Sequence, residues 1–79
     1  MDVTIFTGPG CTSCEKAKAF MTERGVSFVE RNLAGDPRAT EELIALGARM
    51  LPVIRIGGEV ISGFNPVKLG ALLNLRGAS

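Results

Sequence analysis

Hydrophobic positions along the chain come in short runs whose period switches between two and about 3.6, and the switches fall at glycine and proline. Asp2 to Thr7 is rich in β-branched and aromatic residues and stops at Gly8-Pro9-Gly10, which predicts a buried strand followed by a tight loop. From Thr12 to Arg24 the spacing becomes helical, with Cys14, Ala17 and Met21 on one line and Ala17, Phe20 and Arg24 on the next; Gly25 supplies the stop. Val26 to Asn32 then sets Val26, Phe28 and Glu30 against Ser27, Val29 and Arg31, the alternation of a half-buried strand.

Asp36-Pro37 opens a second helix, since aspartate accepts from orphan amides and proline fits the first turn. Its expected buried stripe is Leu43 and Leu46 with Ala39 or Ile44, and Gly47 closes it. Pro52 to Ile56 reads as a strand with its proline at the start or edge, because proline cannot donate to a ladder. Gly57-Gly58 forms a hairpin turn into the strand Glu59 to Ser62. Asn65-Pro66 repeats the cap-and-proline device before a helix with Leu69, Leu72, Leu73 and Leu75 or Arg76 on its apolar face, ahead of Gly77. The order is βαβαββα. A right-handed crossover makes the first two strands parallel and the hairpin makes the last two antiparallel, so the expected fold is α/β with a mixed four-stranded sheet flanked by helices. The end of the first strand, where the first helix starts, is the usual ligand position in such sheets.

Composition narrows the function. With 79 residues, 46% hydrophobic and 22% charged, residues 1–79 are expected to form a single domain. A formal charge of +1 is far from the basic excess of a nucleic-acid binder, and no apolar run approaches the roughly 20 residues that span a bilayer. Met1 leads directly into an acidic residue and a strand-like run, with no secretory leader pattern, so the expected location is the cytoplasm. Histidine, tryptophan and tyrosine are missing, which excludes histidine-assisted nucleophiles and histidine-ligated metals. Cys11 and Cys14 are the strongly nucleophilic side chains that remain.

Cys11-Thr12-Ser13-Cys14 spans the strand-to-helix junction. Cys11, at or just before the helix start, faces unpaired amides and the positive end of the helix dipole, which favour thiolate over thiol. A low-pKa thiolate is the attacking species in disulfide exchange. Cys14 lies one turn on, on the same side and further in, so Cys11 is the expected nucleophile and Cys14 the resolving thiol. Three other readings use the same pair. The pair could serve as small hydrophobes at a helix start or as a structural cross-link, although so short a ring would stabilise little. Zinc needs about four ligands and would require a second chain. A Cu(I) carrier suits two thiolates. The copper-carrying domains, however, have a βαββαβ order ending in a strand and usually a methionine where this chain has Pro9.

Cys11-Thr12-Ser13-Cys14 after Ile5-Phe6-Thr7, then Leu51-Pro52-Val53, Gly57-Gly58 and Ser62-Gly63-Phe64-Asn65-Pro66, resembles the glutaredoxin branch of the thioredoxin superfamily over essentially the whole chain, and within it the NrdH-type redoxins. The resemblance implies a thioredoxin-like fold. It also implies a monomeric cytoplasmic dithiol carrier with a redox-active Cys11–Cys14 disulfide and no bound cofactor or metal. Electrons would come from NADPH through thioredoxin reductase and pass to ribonucleotide reductase or other disulfide-containing proteins. Pro52 matches the family's cis-proline, and Leu51 before it would present its backbone to substrate. Thr12, Ser13, Leu51, Pro52, Gly63 and Phe64 are the implied partner-binding residues. Ile61 departs from the pattern, standing where the NrdH-type motif has tryptophan.

The runner-up is a glutathione-dependent glutaredoxin. Those proteins usually carry Cys-Pro-Tyr-Cys, Thr-Val-Pro, an aspartate after the second glycine pair, and a basic residue three before the first cysteine. Here Cys11-Thr12-Ser13-Cys14, Met50-Leu51-Pro52, Gly63-Phe64-Asn65 and Gly8 stand in those places. Arg49, Arg55 and Lys16 are the cations left to meet an anionic tripeptide.

Overall fold

The computed structural model describes residues 3–48 and 50–75, the last two through their backbone alone. Expectations that fall on Asp2, Arg49, Arg76, Gly77 and the side chain of Leu75 lie outside the described residues. The elements are β1 (Val3–Thr7), α1 (Thr12–Glu23), β2 (Val29–Asn32), α2 (Pro37–Ala45), β3 (Val53–Ile56), β4 (Glu59–Ser62) and α3 (Pro66–Leu75), the expected order. The strands lie side by side as β2-β1-β3-β4, with β1 parallel to β2 and antiparallel to β3, and β3 antiparallel to β4.

Strand register sorts the side chains into two cores. Val3 opposite Ile56, Ile5 opposite Ile54 and Ile54 opposite Ile61 share one face of the sheet. There they bury Ala17 and Met21 of α1 and Leu69 and Leu73 of α3. Phe6, paired with Val53, points the other way and meets Ala39 and Leu43 of α2 in a smaller cluster. Each large apolar side chain buried in these layers stabilises the fold by roughly 1.5–3 kcal/mol. At the entrance to α3, Phe64 packs against the larger cluster, the placement of a hydrophobic staple.

Two expectations need correction. β2 is only four residues long: Val26 and Phe28 turn inward before the strand begins, while Val29 within it is 60% exposed. The inward positions therefore belong to the approach from α1 rather than to the ladder. The buried stripe of α2 is Ala39 and Leu43 alone; Ile44 is 72% exposed and Leu46, at the C-cap, 36%. Nine residues over a small cluster cover one narrow line, and Leu46 comes after the last turn.

Helix ends follow the expected chemistry. Gly25, after the C-cap of α1, adopts φ 70°, a left-handed conformation that glycine takes without strain. Asp36 does two jobs with one carboxylate. Its Oδ1 accepts from the backbone N–H groups of Arg38 and Ala39 at 3.1 and 3.2 Å, and its Oδ2 accepts from Nε and a terminal nitrogen of Arg31 on β2 at 3.1 and 3.0 Å. Arg31 also pairs with Glu42, so α2 is tied to the edge strand at both turns. Asp36→Ala should therefore lower the urea midpoint, because it removes the cap and a partly exposed ion pair together. Asp36→Asn, which keeps an amide-accepting oxygen, should lose less.

Candidate active site

The first strand delivers the chain through Gly8-Pro9-Gly10 to Cys11, which is the N-cap of α1 in extended conformation (φ −86°, ψ 99°). Its carbonyl takes the Glu15 N–H at 3.3 Å, and its sulfur lies 3.1 Å from the Cys14 N–H, which points at it. Cys11 and Cys14 are joined in a disulfide, their Cα atoms 5.2 Å apart. Cys11 is half-buried and Cys14 fully buried, while Thr12 and Ser13 between them are exposed on the first turn. An incoming group therefore reaches Cys11 and not Cys14.

The other expected residues gather on two adjoining loops. The Leu51–Pro52 peptide bond is cis, and Pro52 is buried. The Gly63 N–H donates to the Pro52 carbonyl at 2.7 Å, and the Ser62 hydroxyl donates to the Met50 carbonyl at 3.1 Å, so the 50–52 and 62–63 segments are stitched together. Leu51 lies on Gly8, three residues before Cys11: a Cβ at position 8 would come within 2.9 Å of Leu51 Cδ1. Gly63, at φ 83°, needs glycine for its backbone, and a Cβ there would also meet Met50 Sδ at 3.3 Å. Phe64 is half-buried, set edge-on to Phe20 of α1 with ring centroids 5.9 Å apart. Lys16 and Arg55 are exposed.

The other side of Cys11 gathers charged residues that no sequence motif marks, Glu15 reading only as a cap or solvated residue of the first turn. A groove of about 390 Å³ runs from Cys11 and Thr12 along α1 to β2, walled by Thr7, Glu15, Lys18 and Glu30. Lys18 Nζ sits between two carboxylates, 2.8 Å from Glu15 and 3.1 Å from Glu30. The buried Thr7 hydroxyl donates to the same Glu30 oxygen at 2.8 Å. The Thr7 hydroxyl, then Lys18, hold Glu30 below the ordinary carboxylate range; Glu15, then Glu30, raise Lys18. Glu30 is thus a charge held in place by two partners on the wall of the groove that Cys11 also lines. The Glu15–Lys18 spacing of three residues on a helix was the one available signal; nothing local announces Glu30, whose partners come from two other elements.

A cysteine pair at the N-terminus of the helix that follows the first strand of a mixed four-stranded sheet, with a cis-proline loop beside it, defines a thiol-disulfide oxidoreductase of thioredoxin-like fold. The glutaredoxin family model matches residues 3–61, and the chain belongs to that family. It is 33% identical over 72 residues to a glutaredoxin-like 8.6 kDa protein of the rubredoxin operon of Clostridium pasteurianum, covering 90% of this chain and 96% of that one. It is also 33% identical over 70 residues to the glutaredoxin-like protein NrdH of Lactococcus lactis, covering 89% and 97%. The NrdH-redoxin structure from Escherichia coli superposes with a TM-score of 0.84 at 39% identity, covering 91% of this chain and 95% of the other. Glutaredoxins work through redox-active cysteines without a prosthetic group. The helical final segment Pro66–Leu75 also separates this chain from the copper-carrying fold, which ends in a strand. No helix among the described residues is long and apolar enough to cross a membrane.

Because its folded pKa is depressed, Glu30 contributes stability that is complete above its unfolded value near 4.3 and lost as pH falls through the lower folded value. Glu30→Gln should therefore be less stable than the parent at pH 7, by under about 1 kcal/mol for so exposed a pair. The gap should narrow as pH falls through the depressed folded value, as read from urea midpoints at pH 7 and in acid.

Proposed function

We propose that this protein is a small cytoplasmic dithiol carrier of the NrdH type, in which Cys11 attacks and Cys14 resolves. The carrying observation is the Cys14 amide directed at the Cys11 sulfur at the start of α1, with Cys14 itself buried behind it. A Cys11 thiolate keeps that hydrogen bond and gains the favourable end of the helix dipole, so its pKa falls and it attacks at neutral pH.

The reaction runs in two exchanges. The Cys11 thiolate attacks one sulfur of the substrate disulfide; the substrate S–S bond breaks, and the other sulfur leaves as a thiolate and takes up a proton. Cys14 then loses its proton and attacks Cys11 Sγ, releasing the second substrate thiolate and forming the Cys11–Cys14 bridge. Two electrons have moved, and the carrier is left in the bridged form that the structure holds. In this reading thioredoxin reductase returns the two electrons from NADPH, and ribonucleotide reductase or other disulfide-bearing proteins receive them. The carrier acts as a single-domain monomer, with Thr12, Ser13, Leu51, Pro52, Gly63 and Phe64 meeting the partner.

The choice of reductant rests on the filling around the site. A Cβ at Gly8 would meet Leu51 Cδ1 at 2.9 Å and one at Gly63 would meet Met50 Sδ at 3.3 Å, so a larger side chain at either place requires its neighbour to move. Those are the neighbourhoods in which glutathione-dependent relatives place charged groups. Arg49 lies outside the described residues, and Lys16 and Arg55 remain as exposed cations for an anionic tripeptide. The Escherichia coli relative, described as a glutaredoxin-like protein with a thioredoxin-like activity profile, fits the same choice.

Cys11→Ser should abolish protein-disulfide reduction, and Cys14→Ser should accumulate a mixed disulfide with substrate on non-reducing gels; activity surviving in Cys11→Ser defeats the assignment. NADPH oxidation should be fast with thioredoxin reductase and slow with glutathione plus glutathione reductase. The reverse order would make the protein a glutathione-dependent glutaredoxin.

A further inference from the structure

The groove on the Glu15 side of Cys11 carries a local charge that the whole molecule does not. The chain as a whole is +1, yet this wall holds two carboxylates and one ammonium, a local balance of −1. The exposures deepen the imbalance: the Glu15 side chain is 73% exposed and that of Glu30 35%, while Lys18 between them is 22%. Lys18 and Thr7 both engage Oε2 of Glu30, and Lys18 engages Oε2 of Glu15, so Oε1 of each carboxylate receives no hydrogen bond among the described residues. The groove also contains Cys11, so whatever sulfur the protein attacks must arrive with its flanking residues at the groove's mouth.

We infer that this groove selects among disulfide substrates by taking a lysine or arginine side chain that flanks the target cysteine, with Glu15 and Glu30 as the specificity-determining residues. The inference rests on the disulfide-reductase reading of the same site and adds the chemistry of the segment it prefers. An ammonium or guanidinium on a stem of three or four methylenes extends past Cys11 along α1, and the two unused carboxylate oxygens accept its hydrogens. A glutamate in the same place meets like charge. At half-exposed positions each such pair is worth a fraction of a kcal/mol, so exchanging a flanking lysine for glutamate should change kcat/KM about five- to tenfold. The Debye length limits this field to the groove itself at moderate salt.

The test uses the protein reduced beforehand and freed of reductant, mixed in single-turnover experiments with disulfide-bonded peptides carrying Lys, Gln or Glu beside the cysteine. The lysine peptide should react about five- to tenfold faster than the glutamate peptide at about 10 mM salt, with the ratio shrinking toward one at about 0.5 M. Glu15→Gln, which brings the wall to neutral, should bring the ratio close to one, and Glu15→Gln with Glu30→Gln, or Glu15→Lys alone, each leaving a net charge of +1 with Lys18, should invert it in favour of the glutamate peptide. Glu59→Gln, at the hairpin on the opposite end of the sheet, should keep the preference for lysine, which excludes a net-charge effect. Ratios within one protein remain readable even where a variant lowers absolute rates. Equal rates for all three peptides overturn the inference while leaving the reductase reading intact, as does a preference that survives the double substitution. Failure to reduce even the glutamine peptide defeats the reductase reading and the inference together.

Discussion

Helix α1 opens with backbone N–H groups that have no carbonyl one turn back, and what the Cys14 amide meets instead is the sulfur of Cys11 at 3.1 Å. The other two helices solve the same problem with oxygen: Asp36 takes two amides of α2, and Asn65 takes the Lys68 amide of α3 at 3.1 Å. A bridged or protonated sulfur is a weaker acceptor than either, so α1 is the poorly capped helix as long as Cys11 is neutral. Ionising Cys11 turns that weak cap into a charged one in the field of the helix dipole. The free energy involved, about 0.3–1 kcal/mol at exposed positions and up to about 2 where partly buried, is the same free energy that lowers the thiol pKa. On the proposed reading cap and nucleophile are one group, so its reactivity and the stability of the first turn cannot be adjusted separately.

That coupling constrains the neighbours. An acidic residue in the first turn stabilises a helix, yet Glu15 stands one turn from a sulfur that must itself carry negative charge. Lys18, three residues further, holds the Glu15 carboxylate along the helix and reaches across to Glu30 on β2. The arrangement sets a cation on the groove that Cys11 also lines, while at position 8 a Cβ would meet Leu51 Cδ1 at 2.9 Å. The cis Leu51–Pro52 bond and the Gly63 N–H on the Pro52 carbonyl fix the loop that carries Leu51, so the apolar and the charged walls of the site are held by different elements.

Much of this was legible in the chain. Breakers and caps are local signals: Gly8-Pro9-Gly10, Asp36-Pro37, Gly57-Gly58 and Asn65-Pro66 each sit where an element begins or ends. Cys11 at a helix start was legible for the same reason, since its role depends on position relative to one helix. Side-chain direction was less so. Ile44 and Leu46 fit a helical stripe as well as Ala39 and Leu43 do, and which pair is covered depends on how small a patch of sheet α2 faces. In the sequence Glu30 is only the third member of an alternating strand. Its role comes from the parallel pairing of β2 with β1, which sets it beside Ile5 in register and within reach of Thr7 and Lys18.

Ile61 is the departure from the NrdH-type motif that bears most directly on partner choice, and its position relocates the question. Its side chain is buried opposite Ile54, inside the layer between the sheet and α1 and α3, and it offers nothing to an incoming protein. The surface beside the half-buried sulfur is formed instead by Met50, 65% exposed and held against Gly63, together with Leu51, Thr12 and Ser13. A flexible thioether tolerates partners of different shape, because its three rotatable bonds let it repack at small cost. Shape discrimination on that wall is therefore weak, and under the proposed charge selection the difference between protein disulfides comes from the other wall, where Glu15, Lys18 and Glu30 fix the sign of the charge.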